Sequence, residues 1–179
     1  MGAVMCMKRL IVSLLLLILL PASLVAGDEK VEHTLQTPDG VVNELYRLIC
    51  VPKGGPEPDW EQVRALFIPE AVIILRVSKD ASTTFTVQGW IDDFKAFNTK
   101  AKSSERGFEE KIVRMKPTVF RDIAHVLVLY EARMLDWSKP PGQGVDSIEL
   151  IKKDGRWWIA AITNDLPNEE HPVPAALKD

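Results

Sequence analysis

Apolar residues recur at helical spacing in three stretches of the chain. The first, over residues 41–49, follows Thr37, an N-cap type of residue, and a proline suited to the first helical position. The second is shorter and follows Asp59, which is also a favoured N-cap. The third begins at Gly89 and carries its apolar face to Ala101. The pattern therefore predicts three helices in the first two thirds of the chain.

Short runs rich in β-branched residues fill most of the remaining sequence and indicate strands. These runs are residues 71–78, 83–87, 107–120, 124–135, 144–153 and 156–165. The last two are joined by Asp154-Gly155, a strong signal for a two-residue hairpin turn. Strands gathered behind helices predict an α+β domain in which a mostly antiparallel sheet packs on the helices.

The N-terminus has the three-part layout of a cleavable signal peptide over residues 1–26. Two basic residues precede an apolar run over residues 10–20, which Pro21 ends before small residues at the expected cleavage point. A transmembrane anchor is the alternative, but it needs about 20 apolar residues. We therefore predict an exported protein, secreted or periplasmic, with no membrane contact after cleavage. Residues 27–36 are expected to form a mobile leader, and residues 167–179 an irregular tail.

Signal removal changes the charge balance and the cysteine content. The mature chain keeps 20 basic and 25 acidic residues, which argues against nucleic acid as a partner. Cys6 leaves with the signal, so Cys50 is the only remaining cysteine and no internal disulfide is expected. Cys50 lies in the apolar stretch LICV, which favours a buried, inert thiol over a nucleophile.

Four sequence runs resemble the nuclear transport factor 2-like (NTF2-like) superfamily, in its SnoaL-like and ketosteroid-isomerase-like branch. They are PDGVVNELYRLI, PDWEQVRALFIPEAVIIL, TVQGWIDDFKAF and KKDGRWWIAAITND, and the resemblance covers residues 37–166. It implies a cystatin-like fold: a cone-shaped, curved sheet wrapped by three helices, with a pocket at the wide end. Many members of the superfamily dimerise through the outer sheet face, which implies a homodimer here.

The predicted hairpin assigns side chains to the two faces of the sheet. With Asp154-Gly155 as the turn, strict alternation pairs Leu150 with Ile159, and Asp146 with Thr163. Asp146 and Thr163 would then be two polar pocket candidates at the end of an otherwise apolar inner face, where burial raises the pKa of the Asp146 carboxyl. The alternative is that Asp146 only hydrogen-bonds Thr163 or a loop amide.

Two aromatic residues are further pocket candidates. The resemblance implies that Tyr46, on the first helix, donates a hydrogen bond to an oxyanion, although a structural role is the alternative. The isomerase-like enzymes also carry a general-base aspartate on the strand after the second helix, and residues 72–78 contain no carboxylate. Trp60, at the head of the second helix, is either a pocket residue or part of the core.

The sequence contains no metal-ligating motif and no glycine-rich phosphate loop, so no metal or other cofactor is predicted. Two functions remain open. The first is noncatalytic binding of a small lipophilic molecule in the pocket, with or without dimerisation. The alternative is a cofactor-independent isomerase, dehydratase or cyclase that acts on a small hydrophobic substrate. The missing base favours the first.

Overall fold

The computed structural model describes residues 34–78 and 80–178. The predicted signal peptide, and the expected leader up to residue 33, lie outside the described residues. Leu35 belongs to the segment expected to be mobile, yet its side chain is only 7% exposed. Its carbonyl accepts the backbone N–H of Trp157 at 2.9 Å, so this residue is part of the domain. In the described part, no helix is long and apolar enough to cross a membrane.

The described chain contains four α-helices, of which the first three were predicted. They are α1 (Pro38–Ile49), α2 (Trp60–Arg64), α3 (Val87–Ala101) and α4 (Ser103–Arg106). The side chains of Thr37, Asp59 and Thr86 accept backbone N–H groups and so cap the first three. Lys102 adopts the left-handed conformation between α3 and α4, which ends the longer helix and starts the single extra turn.

Within the described residues, six strands form one sheet in the order β2-β1-β6-β5-β4-β3. They are β1 (Phe67–Ser78), β2 (Ala81–Thr86), β3 (Phe108–Phe120), β4 (Ile123–Met134), β5 (Gly142–Lys153) and β6 (Arg156–Asp165). Only β1 and β6 run parallel, so the predicted α+β, mostly antiparallel architecture is confirmed. β1 starts at Phe67, earlier than predicted, because Pro69 is accommodated within the strand.

Helices α1 and α3 pack on one face of this sheet and enclose the main core. The inward-facing side chains of β1, β4, β5 and β6 include several that are fully buried: Ile73, Val126, Val128, Ile148 and Ile159. Removing such side chains from water is the dominant favourable term in folding. The core therefore occupies the space between helices and sheet, and the opposite sheet face looks outward.

A β-bulge in β6 corrects the predicted register of the last hairpin. Leu150 pairs with Ile159 as expected, but the next residue along β6, Ala160, has no partner in the register. Beyond it every pairing is displaced by one residue, so Asp146 lies opposite Asn164. The predicted pairing of Asp146 with Thr163 is wrong. The side chains of β6 beyond the bulge therefore lie on the opposite face of the sheet from the one predicted.

The tail is more ordered than predicted. It ends in a 3-10 turn, Ala175–Leu177, that packs against β3 and β4, and the Leu177 side chain is only 1% exposed. Val173 and Lys178 share a surface cleft with Glu131 of β4, whose side chain is on the outer face. The tail therefore crosses the outer face of the sheet, part of which the predicted homodimer would use.

Candidate functional site

A four-residue polar network lies at one end of the apolar inner face. The Tyr46 hydroxyl donates to one carboxylate oxygen of Asp146 at 2.6 Å. The other oxygen accepts from the Asn164 amide at 2.7 Å, and the same amide nitrogen donates to the Tyr130 hydroxyl at 3.0 Å. Tyr46 is 4% exposed and Asn164 8%, so the bonds are shielded from water. The structure thus brings two of the predicted pocket residues, Tyr46 and Asp146, together.

The backbone accounts for this arrangement. Asp146 and Asn164 are directly opposed on β5 and β6, where side chains on the same face are close enough to bond. Tyr130 reaches Asn164 from β4 by crossing above Gly144 on the intervening strand. A Cβ at Gly144 would lie 2.2 Å from Cζ of Tyr130, so only glycine leaves room for the ring.

Burial dominates the electrostatics of the network. It raises the pKa of Asp146, and the hydrogen bonds from Tyr46 and Asn164 oppose that rise. Burial also raises the pKa of Tyr46, and the adjacent Asp146 carboxylate raises it further. Tyr46 therefore keeps its proton, and its hydroxyl donates a hydrogen bond to Asp146.

A second carboxyl, Glu110 on β3, stands apart from this network. Burial raises its pKa to about 8, and the nearby Asp146 contributes to the rise. Within residues 34–78 and 80–178, no hydrogen-bond donor reaches its side chain. The sequence reading missed Glu110 because it lies in the charged run FEEK. Its alternation with Phe108 and Ile112, both directed inward, was the signal that places it on the inner face.

Glu110 faces a cavity of about 390 Å³ between α3 and the ends of β3 and β4, which we call the α3–β3 cavity. Seven apolar residues line it: Phe94, Phe97, Ala101, Phe108, Ala132, Met134 and Trp137. Four charged residues complete the lining: Asp93, Arg106, Glu110 and Arg133. An apolar cavity with a few polar groups is the usual form of a small-molecule site.

Solved structures show which fold this is, whereas sequence comparison does not. No protein-family model matches the chain, and the search of curated proteins found no match. An NTF2-like protein with a cystatin-like fold from Novosphingobium aromaticivorans superposes with a TM-score of 0.60 at 12% identity, covering 88% of this chain and 94% of its own. The chain has the NTF2-like, cystatin-like fold.

Two further NTF2-like or cystatin-like structures support this. An NTF2-like protein of unknown function from Pseudomonas putida has a TM-score of 0.52 at 10% identity, covering 86% of this chain and 95% of its own. A cystatin-like protein of unknown function from Nostoc punctiforme has a TM-score of 0.51 at 11% identity, covering 85% and 97%. The predicted NTF2-like fold is confirmed, and the isomerase-like role of Tyr46 stays a prediction.

The other two predicted pocket residues, Trp60 and Thr163, belong neither to the polar network nor to the lining of the α3–β3 cavity. Trp60 is 9% exposed, packs its ring 5.6 Å from that of Phe94, and is not among the residues that line the α3–β3 cavity. Thr163 is exposed on the outer face because of the bulge, so it is not an inner-face pocket residue. Tyr130 packs against the main core and also belongs to the polar network.

Neither a reactive thiol nor a metal site is found in the described part of the domain. The Cys50 thiol donates to the backbone carbonyl of Tyr46 at 3.1 Å, and burial raises its pKa, so the thiolate is disfavoured. In residues 34–78 and 80–178, no group of three or more His, Cys, Asp or Glu side chains could hold a metal ion.

Proposed function

We propose that this is an exported NTF2-like domain that binds a small lipophilic molecule in the α3–β3 cavity without transforming it. The cavity itself supports this most directly. Its volume of about 390 Å³ suits a small ligand, and aromatic and aliphatic side chains form most of its wall.

The polar network favours binding over catalysis. Tyr46 has one hydroxyl proton, and Asp146 already accepts it. The second oxygen of Asp146 is occupied by Asn164. An oxyanion hole needs donors aimed at the reacting oxygen of a substrate, and this pair offers none while the bonds persist.

Nile red, a neutral dye whose emission rises in apolar surroundings, tests the binding site. Ala132→Phe places a ring inside the cavity, so we expect Nile red affinity to fall roughly tenfold or more. Ala96→Phe is the matched control, because Ala96 is exposed on α3 and does not line the cavity. Equal binding by the two variants, or no binding by the parent protein, would refute the proposal.

Glu110 supports a second candidate, the cofactor-independent isomerase, dehydratase or cyclase. A carboxyl with a pKa of about 8 holds and releases a proton near neutral pH, as general acid–base catalysis requires. Exchange of the α-hydrogens of 2-octanone with D₂O, followed by NMR, tests this candidate. Exchange that depends on Glu110, and disappears in Glu110→Gln, would favour the enzyme.

Export and self-association are separate parts of the proposal. The sequence of residues 1–26 supports export, and N-terminal sequencing of secreted or periplasmic material tests it.

A homodimer is supported by three apolar side chains that are exposed on neighbouring strands. They are Phe120, Ile123 and Ile151, which are 70%, 58% and 38% exposed. Sedimentation of the parent protein and of Ile123→Ser would show a dimer that the variant loses; a monomeric parent would exclude it.

A further inference from the structure

We infer that the α3–β3 cavity selects a lipophilic cation: an ammonium group on an apolar body. The inference rests on the proposed binding function and names the class of ligand. It rests on two carboxyl groups in the cavity wall that have no counter-charge among the described residues, and on the arrangement of the aromatic rings.

Both arginines in the cavity wall are already neutralised by carboxylates. The Arg106 guanidinium makes two hydrogen bonds of 2.8 Å to Asp136, one to each carboxylate oxygen. Arg133 contacts Glu109 at 2.9 and 3.0 Å. Paired charges of this kind present little net positive potential to a ligand.

The two carboxyls in the wall have no such partners. Among the described residues, no ion pair or hydrogen bond reaches the side chain of Glu110 or of Asp93. Glu110 is half-buried at the inner side of the cavity, and Asp93 is exposed at its rim. A buried carboxylate without a counter-charge is costly, and a bound cation would supply the missing partner.

The aromatic rings suit the same ligand. Phe94, Phe97 and Phe108 form three mutual edge-to-face contacts with centroids 5.2–5.8 Å apart. Trp137 lines the cavity beside them and is 49% exposed. Clustered aromatic rings attract ammonium groups through their electron-rich faces, and tryptophan does so most strongly.

Other ligand classes fit less well. An anion would meet Asp93 and Glu110 while both arginines are held by Asp136 and Glu109. A neutral molecule would use the apolar wall and leave both carboxyls without a charged partner. The selectivity of the cavity among head groups is therefore the quantity to measure.

Three probes with one chain length separate these classes: octyltrimethylammonium, octanol and octanoate. Calorimetric titration at pH 9 should give octyltrimethylammonium an affinity at least roughly tenfold higher than that of octanol, with octanoate weakest. Glu110→Gln should remove most of that preference, measured as the ratio of octyltrimethylammonium affinity to octanol affinity within the variant. Glu149→Gln is the matched control, since Glu149 is exposed on the outer sheet face.

Proton release gives an independent readout. A cation beside Glu110 favours the carboxylate, so the affinity for octyltrimethylammonium should rise as the pH increases from 6.5 to 9. The heat of binding near pH 7 should also depend on the ionisation enthalpy of the buffer, and both effects should vanish in Glu110→Gln. The charged and titratable groups around Glu110 remain in that variant: Tyr46, Cys50, Asp93, Arg106, Tyr130, Arg133 and Asp146.

The outcomes separate the two levels of the proposal. Equal affinities for octanol and octyltrimethylammonium would overturn the cation inference and leave lipophile binding intact. Preferred binding of octanoate would do the same. If none of the three probes binds and Nile red also fails, the proposed function falls as well.

Discussion

The hydroxyl of Tyr46 and the carboxylate of Asp146 are joined by a 2.6 Å hydrogen bond across 100 residues of sequence. The bond ties α1 to the middle of the sheet at a point shielded from water. It also supplies a hydrogen-bond donor to a buried carboxylate that makes no ion pair with any residue that the structure describes. The pair is therefore as much a structural link as a candidate site.

Tyr46→Phe should destabilise the fold by about 1.5–3 kcal/mol, since a bond to a charged group is lost from a buried position. It should also raise the pKa of Asp146 further, because the Tyr46 bond normally opposes the effect of burial. Urea denaturation at pH 7 and an NMR titration of the carboxyl check both. A change within about 0.5 kcal/mol would mean that water replaces the hydroxyl.

The bulge predicts opposite outcomes for two neighbouring residues. Asn164→Ala removes the donor to both Asp146 and Tyr130, so we expect a loss of about 1.5–3 kcal/mol. Thr163→Ala changes an exposed side chain and should remain within about 0.5 kcal/mol. Chemical denaturation of both variants measures these costs. A larger cost for Thr163→Ala than for Asn164→Ala would contradict the bulge and support the strictly alternating register.

Glu110 should make the folded state less stable as the pH rises. Its folded pKa of about 8 is above the ordinary value of 4.5, so the unfolded chain releases this proton first. The stabilising contribution is complete below about pH 4.5 and is lost as the pH rises towards 8. Glu110→Gln should then stabilise by on the order of 2–4 kcal/mol at pH 9, and by under about 0.5 kcal/mol at pH 4.

Thermal or urea unfolding at both pH values measures this difference. Glu149→Gln changes the net charge equally on the outer face and should show no comparable dependence on pH. A Glu110→Gln effect that is the same at pH 4 and pH 9 would show that the carboxyl titrates normally.

Two glycines on β5 form a matched pair. A Cβ at Gly144 would overlap the Tyr130 ring, at 2.2 Å from Cζ, and overpacking of this kind costs about 1–3 kcal/mol. A Cβ at Gly142 meets only the Ala132 carbonyl oxygen, at an ordinary 3.8 Å. Gly144→Ala should therefore lower the midpoint of urea unfolding while Gly142→Ala does not. If both substitutions lowered the midpoint equally, the loss of glycine flexibility, rather than overlap with the Tyr130 ring, would account for the change in stability.

Leu177 should stabilise the fold although it lies in the tail. Leu177→Ala removes a side chain that is 1% exposed and is expected to cost about 2–4 kcal/mol. Lys178→Ala alters the exposed neighbour and is the control. Urea denaturation compares the two, and a cost near zero for Leu177→Ala would mean that the tail detaches without consequence.

The sequence predicts most of the elements because their signals are local. Thr37 and Asp59 cap the helices that they were expected to start, and Asp154-Gly155 forms the expected turn. Asp146 and Tyr46 converge because one lies on the inner face of β5 and the other on the inward side of α1. These features depend only on spacing and on residue type.

The remaining site residues depend on features that alternation cannot show. The segment WWIAAI is apolar at every position, so a bulge at Ala160 leaves no trace in its pattern and Thr163 was assigned to the wrong face. Beside Glu109, Glu110 resembles a surface charge. Only the inward position of Phe108, two residues earlier on β3, shows that Glu110 also lies on the inner face. The α3–β3 cavity joins residues from separate parts of the chain, and their meeting is set by packing.

The bulge at Ala160 means that the backbone register of β6, rather than its composition, selects the partner of Asp146. If Ala160 were paired instead of bulged, strict pairing would continue and bring Thr163 opposite the carboxylate. A hydroxyl offers one proton, whereas the Asn164 amide nitrogen offers two and shares them between Asp146 and Tyr130. Tyr130 would then lose its link to the carboxylate, although no side chain in the network had been substituted.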